Sequence, residues 1–130
     1  MEKGSYSTSN NPIFFKELGR QDYLTTLAMM QEFTSKRNSE TPDQIWFTEH
    51  DPVFSCGVRT DKSELPTATD IPVIQTDRGG QITYHGPGQL LIYILFDLKR
   101  RSTKRKSQKR KMIFLLWVKN YNFTKVFNTW

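Results

Sequence analysis

Thr76-Asp77-Arg78-Gly79-Gly80-Gln81-Ile82-Thr83-Tyr84-His85-Gly86-Pro87-Gly88-Gln89 is the stretch on which the reading of this chain turns. It places an arginine, two glycines and a histidine within eight residues, between segments that read as extended. Glycines let a backbone approach a ligand closely and adopt positive φ. Exposed N–H groups in such a turn can receive an anion or a carbonyl oxygen. Arg78 brings a permanent charge with forked donors, and His85 a group that can donate or accept a proton near neutrality. The same residues also fit an ordinary hairpin turn, with an incidental arginine and a core histidine.

Outward from this stretch the chain reads as alternating short strands with one helix in front. Upstream, Val73 to Asp77 is a strand candidate, preceded by a polar connection over 59–72 that holds Pro66 and Pro72. Before it come Val53 to Val58 and Ile45 to Thr48, both extended, and Ile13 to Leu18 is a further short strand. Over 21–36, Leu24, Leu27, Ala28, Met30, Gln31 and Phe33 recur at the three- and four-residue spacing of a helix face, which ends in a basic turn before Pro42. Downstream, Gln81 to His85 is extended, Gly86-Pro87-Gly88 breaks it, and Gln89 to Leu98 carries seven consecutive apolar residues, Leu90 to Phe96. An unbroken run of that length predicts a strand buried on both faces. The expectation is an α+β fold: a mixed sheet with flanking helices. Residues 1–12, rich in Ser and Asn, read as a disordered lead-in.

Composition splits the chain in two. Residues 1–98 hold all thirteen acidic residues and eight Lys or Arg, whereas 99–130 hold eleven Lys or Arg and no acid. Lys99 to Lys111 has nine basic residues in thirteen, followed by the apolar block Ile113 to Val118 and scattered aromatics. The overall net charge of +6 therefore belongs to the tail. Such a run could bind acidic partners, nucleic acid or an acidic carrier protein, but without a recognition motif it predicts non-specific affinity. The single cysteine, Cys56, excludes an internal disulfide, and no CxxC-type metal motif is present. Lying in an apolar extended segment, Cys56 reads as a buried structural thiol. No apolar run approaches the roughly 20 residues that span a bilayer, and the polar N-terminus lacks a secretory core. The expectation is a cytoplasmic chain with no membrane partner, no specific nucleic acid and no cofactor or metal.

Arg78-Gly79-Gly80, Thr83-Tyr84-His85 and Gly86-Pro87-Gly88-Gln89 together resemble the signature of the LipB family, the octanoyl-[acyl-carrier-protein]:protein N-octanoyltransferases. Glu49-His50-Asp51-Pro52-Val53-Phe54-Ser55-Cys56-Gly57 is similar to the family's Glu-His-Pro-Pro-Val-Phe-Thr-Leu-Gly stretch, and Ile71 to Arg78 matches its lead into the glycines. The resemblance runs from about Ile13 to Arg101, about half of a full family member. It implies the fold of the biotin and lipoate protein ligase catalytic domain, present as its N-terminal half, with 13–101 belonging to that domain and 102–130 a basic then apolar tail outside it. It implies a reaction, transfer of octanoyl from acyl carrier protein to a lysine of lipoyl domains. Its partners would be octanoyl-acyl carrier protein, the lipoyl domains of 2-oxoacid dehydrogenases and the glycine cleavage H protein. It also implies that Arg78, Gly79, Gly80, Gln81, Ile82, Thr83, Tyr84 and His85 line the acyl site, with Tyr84 and His85 near the acyl carbonyl. The family's nucleophilic cysteine and the lysine that activates it fall in downstream Asn-Pro-Cys-Gly and Gly-x-Lys-[Ile/Val]-Ala motifs. Residues 99–130 contain neither cysteine nor glycine, so both motifs are missing. The abrupt change after residue 99 suggests a shifted reading frame or a foreign fused end, and predicts a chain without acyl-transfer activity. It also predicts that Gln89–Leu98 is left with unpaired edges, and that Ile113–Val118 is an exposed, aggregation-prone window.

Overall fold

The computed structural model describes residues 2–6, 12–101 and 113–119. Its larger sheet has five strands, in the order β1 (Glu2–Tyr6), β2 (Ile13–Gln21), β3 (Asp43–His50), β7 (Gln89–Leu95) and β8 (Ile113–Lys119). A smaller sheet has β5 (Val73–Gln75), β4 (Val53–Cys56) and β6 (Thr83–His85), with β4 in the middle. Only β2–β3 and β4–β5 run parallel; every other pair is antiparallel, which makes both sheets mixed as expected.

Helix α1 (Tyr23–Lys36) is the crossover that makes the β2–β3 pair parallel. Asp22 caps its start, its carboxylate accepting from Thr25 N at 3.0 Å, and satisfies one of the amides a helix start leaves orphaned. The face it buries is Tyr23, Thr26 and Met30, with Leu27 and Phe33 packed beside them. Leu24 is half exposed and Ala28 is exposed, so the buried stripe is rotated by one position from the one the spacing suggested. Both placements obey the same period; Tyr23, not Leu24, is the residue aimed at the sheet. The stripe rests on Trp46, Leu91, Tyr93 and Leu95, which are side by side because Trp46 pairs with Tyr93 in the β3–β7 ladder. Leu91 is fully buried, which stabilises the fold by about 1.5–3 kcal/mol.

A buried charge cluster closes the far end of this core. Asp43 Oδ1 accepts from Arg37 Nη2 at 2.7 Å, Arg100 Nη2 at 2.8 Å and the Asp97 amide at 2.8 Å. Helix end, β3 start, β7 end and the short α2 (Leu98–Arg101) are thereby tied together. Arg100, although it belongs to the basic run, is drawn into the body of the fold.

Four sequence expectations are corrected. Glu2–Tyr6, inside the expected disordered lead-in, forms a strand on the outer edge of β2. Backbone ladder bonds do not depend on side-chain polarity, and that edge offers them. Strand β7 is paired on both edges, because β8 runs beside it from Gln89↔Lys119 to Leu95↔Ile113. The apolar block was expected to be exposed; instead its backbone fills the open edge of β7. Strand β7 buries Leu91, Tyr93 and Leu95 beneath α1, whereas on its other face Leu90 is buried and Ile92 and Ile94 are only half-buried. Finally, the glycine turn is no hairpin: β5 and β6 lie on opposite sides of β4 and never touch as neighbours. Of the tail, 102–112 and 120–130 lie outside the described residues.

Candidate active site

The two sheets are joined at a corner. Strand β3 continues into β4 through Asp51-Pro52, while β6 continues into β7 through Gly86-Pro87-Gly88, so the antiparallel β3–β7 ladder resumes as the β4–β6 ladder after a break. Gly88, at φ +82°, supplies a conformation that side-chain-bearing residues avoid. His50 is the last residue of β3 and His85 the last of β6, so both end at this corner, with ring centroids 6.1 Å apart. Tyr23, at the start of α1, stacks on His85 at 5.5 Å and meets His50 edge-on at 5.2 Å.

Hydrogen bonding fixes the state of both rings. His50 Nδ1 lies 2.9 Å from the carbonyl oxygen of Gln21, which can only accept, so Nδ1 carries the proton. His50 Nε2 is then the acceptor for the Tyr93 hydroxyl at 2.8 Å. Burial pushes the His50 pKa down and that of Tyr93 up, keeping both groups neutral near pH 7. His85 Nε2 lies 2.8 Å from Ser55 Oγ and Nδ1 3.2 Å from Gln89 Oε1. Its pKa is lowered from 6.5 to about 4, first by burial, then by the neighbouring His50.

Arg78 holds the glycine loop against the end of β4. Its Nη2 donates to Ser55 O at 2.7 Å, Gln81 O at 2.8 Å and Ser55 Oγ at 2.9 Å, its Nη1 to Gly79 O at 2.9 Å, and its Nε to Ser55 Oγ at 3.2 Å. Both sides of the guanidinium fork are thus occupied by protein oxygens, and the side chain works as a staple. Backbone bonds complete the attachment: Gly57 N to Gln81 O, Val58 N to Arg78 O and Arg59 N to Gly80 O, at 3.3, 2.9 and 3.0 Å. Thr76 ties the loop's upstream end, its amide and hydroxyl both donating to Cys56 O at 2.9 Å. Gly79 is left exposed, with open space where a Cβ would stand.

Of the eight residues singled out from the sequence, Arg78, Gly79, Gly80 and Gln81 form this loop, and His85 is joined to it through Ser55. Ile82 and Thr83 are half-buried on the way into β6. Tyr84, one residue before His85, points to the opposite face of the small sheet, half exposed against Phe54 at 5.4 Å. Cys56 is buried as expected, and strand alternation turns it to the face of β4 away from Ser55 and His85. Tyr23, His50, Ser55 and Tyr93 were not foreseen. His50 carried a signal all the same, since the chain has only two histidines and each stands at the end of a strand, before a break. Among the described residues no three His, Cys, Asp or Glu side chains cluster as metal ligands, and no helix is long and apolar enough to cross a membrane.

Residues 22–127 match the family described as the lipoyl protein ligase A/B catalytic domain. The chain belongs to this family. Over 83 residues it is 57% identical to an octanoyltransferase of Vesicomyosocius okutanii subsp. Calyptogena okutanii, a match that covers 64% of this chain and 41% of the relative. An octanoyltransferase of Vibrio vulnificus is 53% identical over 91 residues, covering 70% of this chain and 42% of its own length. The chain thus spans about two-fifths of the length of these curated relatives. A lipoate-protein ligase A solved with ATP bound superposes with a TM-score of 0.51 at 18% identity, over 62% of this chain and 35% of the other, a likeness of fold.

Proposed function

We propose that this chain carries the acyl-binding part of an octanoyltransferase, the part that receives an octanoyl group from octanoyl-acyl carrier protein for delivery to a lipoyl-domain lysine. The observation that carries this reading is the glycine loop stapled to β4 by Arg78, with Gly79 exposed at its tip and a neutral His85 tied to its base. A rigid turn with bare glycines lets a ligand's carbonyl lie against backbone amides. High identity to two octanoyltransferases supports assigning that carbonyl to an octanoyl thioester. Arg78 to Thr83 and His85 then border the acyl group, with Tyr84 on the other face of the small sheet and Arg78 as the loop's anchor rather than as a contact for substrate charge.

Thioester-mediated transfer needs a reactive thiol, and the one cysteine here is Cys56, buried at 1% exposure on the wrong face of β4. The same proposal therefore holds that the chain by itself binds octanoyl-acyl carrier protein without completing transfer, in a cytoplasmic setting where that carrier and lipoyl domains meet. The test is to mix the full chain with octanoyl-acyl carrier protein and a lipoyl domain, measuring binding by calorimetry and the masses of all three proteins. Saturable binding with unchanged masses is expected. An octanoyl group on the lipoyl domain would overturn the inactive half of the reading, and absence of binding would overturn the acyl-binding half.

A further inference from the structure

Ser55 is fully buried in the middle strand of the small sheet, and its hydroxyl stands where the glycine loop and His85 meet. Arg78 donates to Oγ from Nη2 at 2.9 Å and from Nε at 3.2 Å. A guanidinium can only donate, so Oγ accepts from Arg78 and its single proton is free for its remaining partner, His85 Nε2 at 2.8 Å. Nδ1 carries the proton toward Gln89 Oε1 at 3.2 Å, which leaves Nε2 as the bare nitrogen of the neutral ring. The Gln89 amide is oriented to match, its Nε2 donating to Tyr84 O at 3.2 Å. One direction of donation runs through the whole series, from Arg78 through Ser55, His85 and Gln89 to the Tyr84 carbonyl.

We infer that Ser55 is a positioning residue of the acyl site: its hydroxyl holds the Arg78 loop and at the same time fixes His85 as the neutral Nδ1–H tautomer. The role in acyl binding rests on the function proposed above; the bonding pattern stands apart from it. A donor directed at Nε2 stabilises the neutral ring and opposes a proton there. The other groups facing His85 act in the same sense or are neutral: Arg78 and His50 oppose a positive charge, and Tyr23 stacks on the ring. The Gln89 hydrogen bond alone favours the charged form. Displacing the loop would remove the donors that commit Ser55's proton, so loop position and imidazole tautomer are linked through one hydroxyl.

The experiment is ring-nitrogen NMR on the full chain with labelled histidine, in the wild type and in Ser55→Ala, Ser55→Cys and Ser55→Thr variants, with octanoyl-acyl carrier protein binding measured on each. In the wild type at pH 7, His85 should carry its proton on Nδ1, and its titration should fall well below that of an ordinary histidine. Ser55→Ala should bring in the Nε2–H tautomer, raise the titration midpoint by about one unit or more, and weaken carrier binding. Ser55→Thr, which keeps the hydroxyl, should restore all three. A wild-type ring protonated on Nε2 overturns the inference with no variant needed. So does a Ser55→Ala or Ser55→Cys protein whose His85 signals match the wild type. If the ring signals behave as expected but no form binds the carrier protein, the acyl reading fails while the assignment of Ser55 to His85 and Arg78 holds.

Discussion

Gly57 lies so close beneath Gly80 that a β-carbon built on it would stand 2.2 Å from the Gly80 carbonyl oxygen. The obstacle is backbone, which cannot swing aside as a side chain could. Arg59 N already donates to that carbonyl, so the loop can retreat only by breaking its own attachment to β4. Gly57→Ala should therefore cost at least about 1–3 kcal/mol, the usual penalty of overpacking. Gly79→Ala meets open space and should leave stability within about 0.5 kcal/mol while weakening binding of octanoyl-acyl carrier protein. Thermal or urea melts of the two variants check the contrast; equal melts would mean that the loop is not seated on Gly57.

Arg78 is the next test of the loop. If its charge served to attract substrate, Arg78→Lys would preserve most of its effect. As a staple it feeds oxygens on Ser55, Gln81 and Gly79 from a planar fork that an ammonium cannot reproduce. Arg78→Lys is expected to resemble Arg78→Ala, each losing about 1–3 kcal/mol of stability, chiefly because buried Ser55 loses a charged donor. Denaturant titration of both variants decides it, a near wild-type lysine variant being the result that sinks the staple.

How far the sequence carries this fold depends on which residues one asks about. Strand β7 and helix α1 announce themselves through an apolar run and a helical spacing, since burial beneath α1 demands both. The Arg-Gly-Gly and Tyr-His segments are legible because the bare backbone and the charged fork have few substitutes. What the chain does not announce is partnership across long separations. Ser55 meets Arg78 and His85 only because β4 lies between β5 and β6, and nothing local to Val53–Cys56 signals that order. His50 and Tyr93 find each other through the β3–β7 corner for the same reason. Strands β1 and β8 were missed because an edge strand is selected by the open edge it fills rather than by its own composition.

Asp43 supplies a prediction away from the site. Its carboxylate is fully buried and serves Arg37, Arg100 and the Asp97 amide. Removing it leaves the Arg37 guanidinium buried without its counter-charge, a loss of about 3–5 kcal/mol for a broken buried pair. Asp43→Ala should thus lower the denaturation midpoint more than Asp51→Ala, since Asp51 pairs with Arg20 where both side chains are more than half exposed. Comparable losses in the two variants would show that the Asp43 cluster does not hold the end of the core together.

The buried histidines make stability depend on pH with a definite sign. His85 has a pKa of about 4 in the folded chain against 6.5 as the ordinary value, and burial lowers His50 in the same direction. Between those two values the unfolded chain binds the proton that the folded chain refuses, so stability rises with pH across the window. The contribution of His85 is fully present above about pH 6.5, declines as the pH falls, and is gone once the pH passes below about 4. A shift of this size is worth about 3 kcal/mol, and His50 adds to it. Urea midpoints should therefore stay nearly level from about pH 7.5 to about 6.5 and fall from there to about pH 4, and the His85→Asn variant, less stable at pH 7, should show a shallower decline. A wild-type midpoint that stayed level down to pH 5 would mean that His85 is not held neutral, and with it would go the bonding direction from Arg78 to the Tyr84 carbonyl.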